Sequence, residues 1–218
     1  MNRAVSWFCR IFIKPLVKIL LIKEVKGEEN IPKTNFILAS NHQSHLDWIA
    51  DGYICVPRRF TFIGQVDKYS GILGLGRDLL YFMAGVIPVN RKEVLSRKRA
   101  QEEAIKRVRQ GDILIIYPEG TRSRTGKLQK GKWGVAKIFL ATGVPILPVG
   151  IKGTFELFPP GGKLRIERKI EINIGKPLFF KEKLEEARGL DDHSERYKKI
   201  CQEITETVMR ELSALIST

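Results

Sequence analysis

The sequence predicts a single α/β domain with a mostly parallel, mixed central sheet flanked by helices and preceded by an N-terminal amphipathic helix or helix pair. Three observations support this prediction. The chain has 218 residues, a length typical of one domain. Apolar, β-rich runs alternate with helix-like stretches over most of its length, as in sheets covered by helices. A separate amphipathic segment precedes the first of these runs.

The N-terminal segment combines a wide apolar arc with a basic stripe. Three cations interrupt its apolar residues, so no run approaches the ~20 residues of a spanning helix. At helical spacing, one sector holds Trp7 and four basic residues, Arg3, Arg10, Lys14 and Lys18. The opposite arc holds Val5, Phe8, Phe12, Leu16, Ile19 and Leu20. This pattern favours a helix lying in the lipid headgroup plane over residues 1–25, kinked or split at Pro15. The alternative is a helix packed on its own domain.

The remaining residues, 26–218, carry the pattern of the domain itself. Apolar runs predict strands at 35–40, 59–65, 86–89, 112–117 and 145–151. Helix-like stretches lie near 45–56, 70–82, 92–110 and 131–142. The alternation in 163–174 predicts a strand at a sheet edge. From Ser194 onward one face of a helix is apolar, which favours packing on the core.

The charge balance predicts an anionic partner. Thirty-eight Lys and Arg against 24 Asp and Glu give a net charge of +14. A nucleic acid, an acidic membrane face, a phosphorylated substrate or an acidic carrier protein would each satisfy it. The three cysteines, Cys9, Cys55 and Cys201, lack the spacing of a zinc site and indicate a reducing compartment rather than a disulfide framework.

A first polar motif, residues 41–47, lies between a predicted strand and a predicted helix. Ser44 suits the helix N-cap and Asp47 the third helical position, so the preceding turn can bring His42 against Asp47. A histidine oriented by a carboxylate can take the proton of an attacking hydroxyl. Alternatively, Asp47 only caps the helix. A metal site with His45 would need further ligands, and His193 is the one other histidine.

A second polar motif, residues 115–127, also follows a predicted strand. Its cations are Arg122, Arg124 and Lys127, and hydroxyls alternate with them, a composition suited to binding an oxyanion. The glycine spacing is one residue too long for a nucleotide-binding P-loop, and Leu128 stands where the magnesium-binding hydroxyl would be. Phosphate binding and a solvated basic turn both remain possible.

Taken together, these motifs resemble the phosphate-lipid acyltransferase family that includes 1-acyl-glycerol-3-phosphate acyltransferases. The family's Asn-His-x4-Asp block is matched by residues 41–47, and its Pro-Glu-Gly-Thr-Arg-Ser block by residues 118–123. Residues 85–91 look like the second block, and residues 144–149 match the apolar fourth block. The resemblance covers roughly residues 28–178.

The resemblance implies roles for individual residues. His42 would be the general base and Asp47 would orient it. The acceptor's glycerol phosphate would be bound by Glu119, Gly120, Thr121 and Arg122, with help from Arg91. Where many members carry a Lys-Glu-Leu-like stretch, this chain has Gly64-Gln65-Val66-Asp67-Lys68, so Lys68 is the substitute candidate for a phosphate ligand.

The implied reaction transfers a fatty acyl chain from a thioester, on acyl carrier protein or coenzyme A, to the sn-2 hydroxyl of 1-acyl-glycerol-3-phosphate (lysophosphatidic acid). It requires no cofactor or metal, and it would occur at the cytoplasmic face of the cell membrane, with the enzyme bound as a peripheral or monotopic protein. Glycerol-3-phosphate or another lysolipid is the alternative acceptor. An acyl channel is expected from Leu73, Leu75, Leu79, Phe82 and Met83, which equally suit an ordinary core.

Two other classes of protein compete with this interpretation. A thioesterase or phospholipid hydrolase could use the same His–Asp pair. A basic membrane-binding or nucleic-acid-binding protein could use the cations of residues 91–109, although three glutamates interleave with them. We expect no nucleic acid partner, because such a run more often forms a solvated helix face.

Overall fold

The structure, a computed structural model, describes residues 3–65, 85–90 and 92–217. Within this part of the chain, a seven-stranded sheet forms the centre of the fold. Its strands are β1 (Ile22–Lys26), β2 (Ile37–Ser40), β3 (Phe60–Gln65), β4 (Val86–Val89), β5 (Ile113–Ile116), β6 (Ile146–Lys152) and β7 (Ile170–Ile174). Their order is β1-β7-β6-β2-β5-β3-β4, and every pair is parallel except β6 with β7. The predicted fold class is confirmed.

Helices cover both faces of this sheet. They are α1 (Arg3–Phe8), α2 (Lys14–Leu20), α3 (Asp47–Cys55), α4 (Val94–Arg109), α5 (Gly134–Thr142), α6 (Thr154–Leu157), α7 (Lys181–Ala187) and α8 (Glu195–Ser217). A π-helical turn, Cys9–Ile13, joins α1 to α2, and a 3-10 turn, Glu28–Asn30, follows β1. The helix predicted near 70–82 lies outside the described residues.

Alternating side chains of the central strands supply two cores. On one face, Leu38, Ile115 and Leu147 are fully buried and pack toward α3 and the N-terminal helices. On the other face, the neighbouring strand positions pack against α4, α5 and α8. Of the apolar stripe predicted for it, helix α8 buries Ile200, Ile204, Val208 and Leu212, while Tyr197 and Leu215 at its ends are half-buried. Burying one such aliphatic side chain is worth about 1.5–3 kcal/mol.

The structure corrects the prediction at the sheet edge. Ile22–Lys26, whose first four residues were assigned to the N-terminal helical segment, forms strand β1 and pairs in parallel with β7. The helical part therefore ends at Leu20. The strand predicted within 163–174 is confined to Ile170–Ile174, and it is not the edge of the sheet because β1 lies outside it.

The topology brings the two polar motifs together. Strands β2 and β5 are parallel neighbours, with Ile37 opposite Leu114 and Ala39 opposite Ile116. Strand β6 runs parallel to β2 on its other side. The carboxyl ends of all three strands therefore lie at one edge of the sheet, where open α/β sheets build their binding sites.

Candidate active site

A buried carboxylate organises the loop that follows β2. Asp47 Oδ2 accepts hydrogen bonds from His42 Nδ1 at 2.8 Å and from the backbone amides of Gln43 and Ser44 at 2.7 and 2.8 Å. Its Oδ1 accepts a hydrogen bond from the Thr154 hydroxyl at 2.6 Å. The residue is wholly buried, so four donors fix the carboxylate without water. The predicted pairing of His42 with Asp47 is confirmed.

The pairing with Asp47 defines which nitrogen of the neutral imidazole carries the proton. When Nδ1 donates to the carboxylate, Nε2 carries the lone pair that can accept a proton. The His42 side chain is 13% exposed, which leaves it accessible from one side. The ring is therefore oriented by Asp47 and still reachable by a small hydroxyl group.

The predicted helix start is wrong by two residues. Helix α3 begins at Asp47, with Leu46 as its N-cap residue, so Ser44 is not the cap. The Ser44 hydroxyl instead donates to the Phe158 carbonyl at 2.7 Å and accepts the Leu46 amide at 3.0 Å. Ser44 thus ties the histidine loop to the chain that follows α6.

A tyrosine supports the other face of the histidine ring. The Tyr117 ring is stacked on His42 with centroids 3.9 Å apart and an angle of 10° between the planes. Its hydroxyl donates to Asp51 Oδ2 at 2.8 Å, and the Ser40 hydroxyl donates to the same oxygen at 2.9 Å. Burial raises the pKa of Asp51 well above its usual range. Burial, followed by the Asp51 charge, raises the pKa of Tyr117.

The loop after β5 is bonded directly to the backbone of His42. Glu119 Oε1 accepts the His42 amide at 2.6 Å, and the Ser123 amide donates to the His42 carbonyl at 2.7 Å. Glu119 Oε2 accepts the Gln129 amide at 2.8 Å, and burial raises the pKa of this carboxyl. Two backbone amides therefore hold the Glu119 carboxylate in place, and its role in binding the acceptor stays a prediction.

Two cations adjoin the turn after β5. The Arg122 guanidinium contacts His45 Nε2. Burial and, second, the Arg122 charge lower the pKa of His45, which favours a neutral ring that accepts from Arg122. Gly120 has φ +72°, and a Cβ there would lie 2.9 Å from Lys132 Nζ, so the Lys132 ammonium adjoins this turn. Thr121 is exposed in the same loop.

An apolar cleft adjoins this loop on the α4–α5 side of the sheet. Its volume is about 280 Å³. Tyr117, Gly120 and Lys132 line its inner end, and side chains of β5, α4 and α5 form its walls. The predicted channel residues Leu73, Leu75, Leu79, Phe82 and Met83, and the predicted phosphate ligands Lys68 and Arg91, lie outside the described residues.

Side chains with the spacing of a metal site lie away from the histidine loop. Among the residues that the structure describes, one cluster of three ligand side chains is close enough to hold an ion, namely Asp191, Asp192 and His193. All three are exposed and precede α8. His42 and Asp47 are engaged with each other and with loop donors, a pattern that suits proton transfer.

A family model described as acyltransferase matches residues 23–152. The matched region contains both polar motifs and the strands that position them. This chain belongs to the acyltransferase family.

Individual acyltransferases show how far the similarity extends. The chain is 37% identical over 136 residues to the 1-acyl-sn-glycerol-3-phosphate acyltransferase of Borreliella burgdorferi, covering 62% of this chain and 52% of that one. It is 28% identical over 160 residues to the chloroplastic enzyme BAT2 of Brassica napus, covering 72% and 45%. The chain thus spans about half the length of these curated relatives.

A solved acyltransferase shares the fold. The crystal structure of the 1-acyl-sn-glycerophosphate (LPA) acyltransferase PlsC from Thermotoga maritima superposes with a TM-score of 0.65 at 28% identity. The superposition covers 97% of this chain and 79% of that one. The similarity therefore includes the segments on both sides of residues 23–152.

Four residues around this candidate site had no role in it in the sequence prediction. Thr154 and Tyr117 contact the His42–Asp47 pair, His45 contacts Arg122, and Lys132 adjoins Gly120. Tyr117 stands directly before the Pro-Glu-Gly-Thr-Arg-Ser block, and His45 lies inside the first motif, so their positions were a usable signal. Thr154 and Lys132 are common polar residues outside both blocks, and no pattern distinguished them.

Proposed function

We propose that this acyltransferase moves a fatty acyl chain from an acyl thioester to the sn-2 hydroxyl of 1-acyl-glycerol-3-phosphate, giving phosphatidic acid. The observation that carries the proposal is the position of His42. Asp47 holds its imidazole at 2.8 Å, and its backbone carbonyl is hydrogen-bonded to the loop that bears Arg122. The relatives are 1-acyl-sn-glycerol-3-phosphate acyltransferases and the solved neighbour is an LPA acyltransferase, which supports this acceptor.

The proposed chemistry is direct attack without an acyl-enzyme. The acceptor hydroxyl oxygen bonds to the thioester carbonyl carbon while its proton passes to His42 Nε2. The resulting imidazolium is stabilised by Asp47. The tetrahedral intermediate then breaks its C–S bond, and His42 returns the proton to the departing thiolate. General-base assistance of this kind contributes about 10²- to 10⁴-fold to the rate.

Acceptor recognition is proposed for the turn after β5. Arg122 presents a planar group of donors suited to a phosphate. Thr121 adds a hydroxyl and Lys132 a second cation. The Gly120 amide donates to the Tyr117 carbonyl at 2.9 Å, so Gly120 contributes the shape of the turn. His45 holds the guanidinium from one side. Arg91 and Lys68 remain further proposed ligands.

Arg122→Ala should raise the KM for lysophosphatidic acid about tenfold or more, because a charge-assisted hydrogen bond is worth about 1.5–3 kcal/mol. The kcat at saturating acceptor should fall much less. Steady-state kinetics with varied acceptor measures both constants. Arg188→Ala, at an exposed arginine after α7, is the matched control and should leave KM unchanged. An unchanged KM in the Arg122 variant would place headgroup binding elsewhere.

The N-terminal helices supply the proposed membrane contact. Their large apolar side chains point away from the domain, with Trp7 51% exposed, Phe12 60% and Ile19 70%. The inward side is partly polar, because Ser6 donates to the Arg58 carbonyl at 3.0 Å. Lys14, from the predicted basic stripe, also turns inward, with its Nζ 4.3 Å from the centre of the Tyr53 ring.

None of the helices in the described part of the chain has both the length and the apolar character needed to span a bilayer. We place the enzyme on the cytoplasmic membrane face, with this apolar side in the interface.

Phe8→Ser combined with Phe12→Ser should weaken binding to phospholipid vesicles about tenfold or more, since each ring loses up to about 1.5–3 kcal/mol of burial. Cosedimentation with vesicles measures the affinity. Point variants are preferable to deleting residues 1–25, which would remove most of β1. Phe179→Ser, also exposed but following β7, is the control. Equal binding by the double variant and the control would refute the interfacial helices.

An acyl-transfer assay tests the function itself. Labelled acyl carrier protein and acyl coenzyme A thioesters are each offered with lysophosphatidic acid and with glycerol-3-phosphate. We expect label in phosphatidic acid whenever lysophosphatidic acid is present with an accepted donor. Label recovered as free fatty acid would identify a hydrolase, and label on glycerol-3-phosphate alone would reassign the acceptor.

A further inference from the structure

A basic loop of unusual composition joins α6 to β7. This loop, residues 158–169, has no regular secondary structure, and all its residues from 161 to 169 are exposed. Two large apolar side chains stand in solvent, Leu164 at 52% exposure and Ile166 at 67%. Around them lie four cations and one carboxylate, namely Lys163, Arg165, Glu167, Arg168 and Lys169.

The two ends of the basic loop are fixed at different parts of the enzyme. At its start, the Phe158 carbonyl accepts the Ser44 hydroxyl, and the Phe158 ring lies 5.4 Å from the His45 ring. At its end, the backbone amides of Lys169 and Ile170 both donate to the Leu21 carbonyl, at 3.0 and 2.8 Å. The loop therefore runs from the histidine motif to the base of the N-terminal helices.

We propose that the basic loop is a second membrane-contacting element that binds an anionic bilayer surface. Leu164 and Ile166 would enter the interface while Lys163, Arg165 and Lys169 contact lipid phosphates. Cations beside a bilayer containing anionic lipid each contribute binding, and apolar side chains between them add burial. The attachment at Leu21 fixes the end of the loop at the residue that follows α2, and the use of α1 and α2 as the other membrane contact rests on the proposed function.

A bilayer fits this surface better than an acidic protein. Cations alone would suit either partner, but two exposed side chains between them, Leu164 and Ile166, are aliphatic. The loop also ends beside α2, and the exposed residues of α1 and α2 are mainly aromatic and aliphatic. If both the basic loop and the N-terminal helices contact the bilayer, the Ser44–Phe158 hydrogen bond holds the histidine motif close to the lipid headgroups, where the acceptor resides.

The apolar half of the proposal is tested with Leu164→Ser and Ile166→Ser together in the full chain. Cosedimentation is measured with vesicles of phosphatidylcholine and phosphatidylglycerol. We expect affinity to fall about tenfold, equivalent to ~1.4 kcal/mol. Val94→Ser with Leu95→Ser is the matched control, because these aliphatic residues, 71% and 58% exposed, lie at the start of α4. Affinity equal to that of the control would overturn the proposal.

The charged half is tested with Lys163→Gln and Arg165→Gln. Each cation near an anionic surface contributes to binding, so affinity for the mixed vesicles should fall about tenfold or more. Affinity for pure phosphatidylcholine vesicles should not change. An equal loss on both kinds of vesicle would contradict a headgroup role for these cations.

A soluble-substrate assay separates membrane binding from chemistry. Both loop variants should turn over a short-chain acyl thioester and short-chain lysophosphatidate at the wild-type rate. A lower rate would place the loop in catalysis. A raised KM for acyl carrier protein, together with unchanged vesicle affinity, would make the loop a protein-docking surface. Either result overturns the proposal. Failure of the proposed function differs, since the wild type would then make no phosphatidic acid while the vesicle effects persisted.

Discussion

His42→Ala should lower kcat for acyl transfer by about 10²- to 10⁴-fold, the usual contribution of a positioned general base. The imidazole is the group that Asp47 orients, and its Nε2 is the proposed acceptor of the hydroxyl proton. The KM values should change little, because neither substrate depends on this ring for its phosphate contacts. Initial rates with saturating donor and acceptor measure the effect.

His193→Ala is the matched control for this variant. His193 is an exposed histidine before α8, and its replacement should leave kcat unchanged. Thermal unfolding followed by circular dichroism should show His42→Ala folded near the wild-type midpoint, apart from the loss of stacking on Tyr117. A folded His42 variant with near-normal turnover would remove this residue from the mechanism.

Asp47→Asn should lower kcat by at most as much as His42→Ala does and should also destabilise the fold. The amide cannot stabilise an imidazolium as a carboxylate does, and an amide N–H facing Nδ1 favours the wrong histidine tautomer. In that orientation it also faces the Gln43 and Ser44 amides, which lose their acceptor in this wholly buried site. Leaving buried polar groups unpaired costs about 1–3 kcal/mol, which chemical denaturation would register.

Asp112→Asn serves as the control that separates the loss of activity from the loss of stability. Asp112 is also buried, pairs with Arg59 at 2.9 Å and lies at the amino end of β5, away from the histidine loop. We expect this control to lose stability while retaining kcat. If Asp47→Asn lost no more activity than Asp112→Asn, the carboxylate would be structural only.

Much of the sheet could be predicted from the sequence because its central strands are short, continuous apolar runs. Ile113–Ile116 and Ile37–Ser40 are buried on both faces, and such strands carry a strong signal. Strand β1 carries only a weak sequence signal. It reads Ile-Lys-Glu-Val-Lys, follows an amphipathic helix without a break, and owes its conformation to pairing with β7, far along the chain.

The same distinction holds at the site. His42 and Asp47 are five residues apart, so local turn geometry was enough to predict their contact. Thr154 reaches Asp47 across 107 residues, and that contact exists only because β6 lies beside β2. The two amide contacts of Glu119 also depend on the fold, since its oxygens accept the backbone amides of His42 and Gln129.

A double-mutant cycle on acyl transfer tests most directly whether His42 and Asp47 work as one unit. The four proteins are the wild type, His42→Ala, Asp47→Asn and the double variant, each assayed for kcat with lysophosphatidic acid. Because the proposed task of Asp47 is exerted through the imidazole, the double variant should be no slower than His42→Ala alone. Losses that multiply, so that the double variant is slower by the product of the two single effects, would show that the residues act independently and would contradict the mechanism.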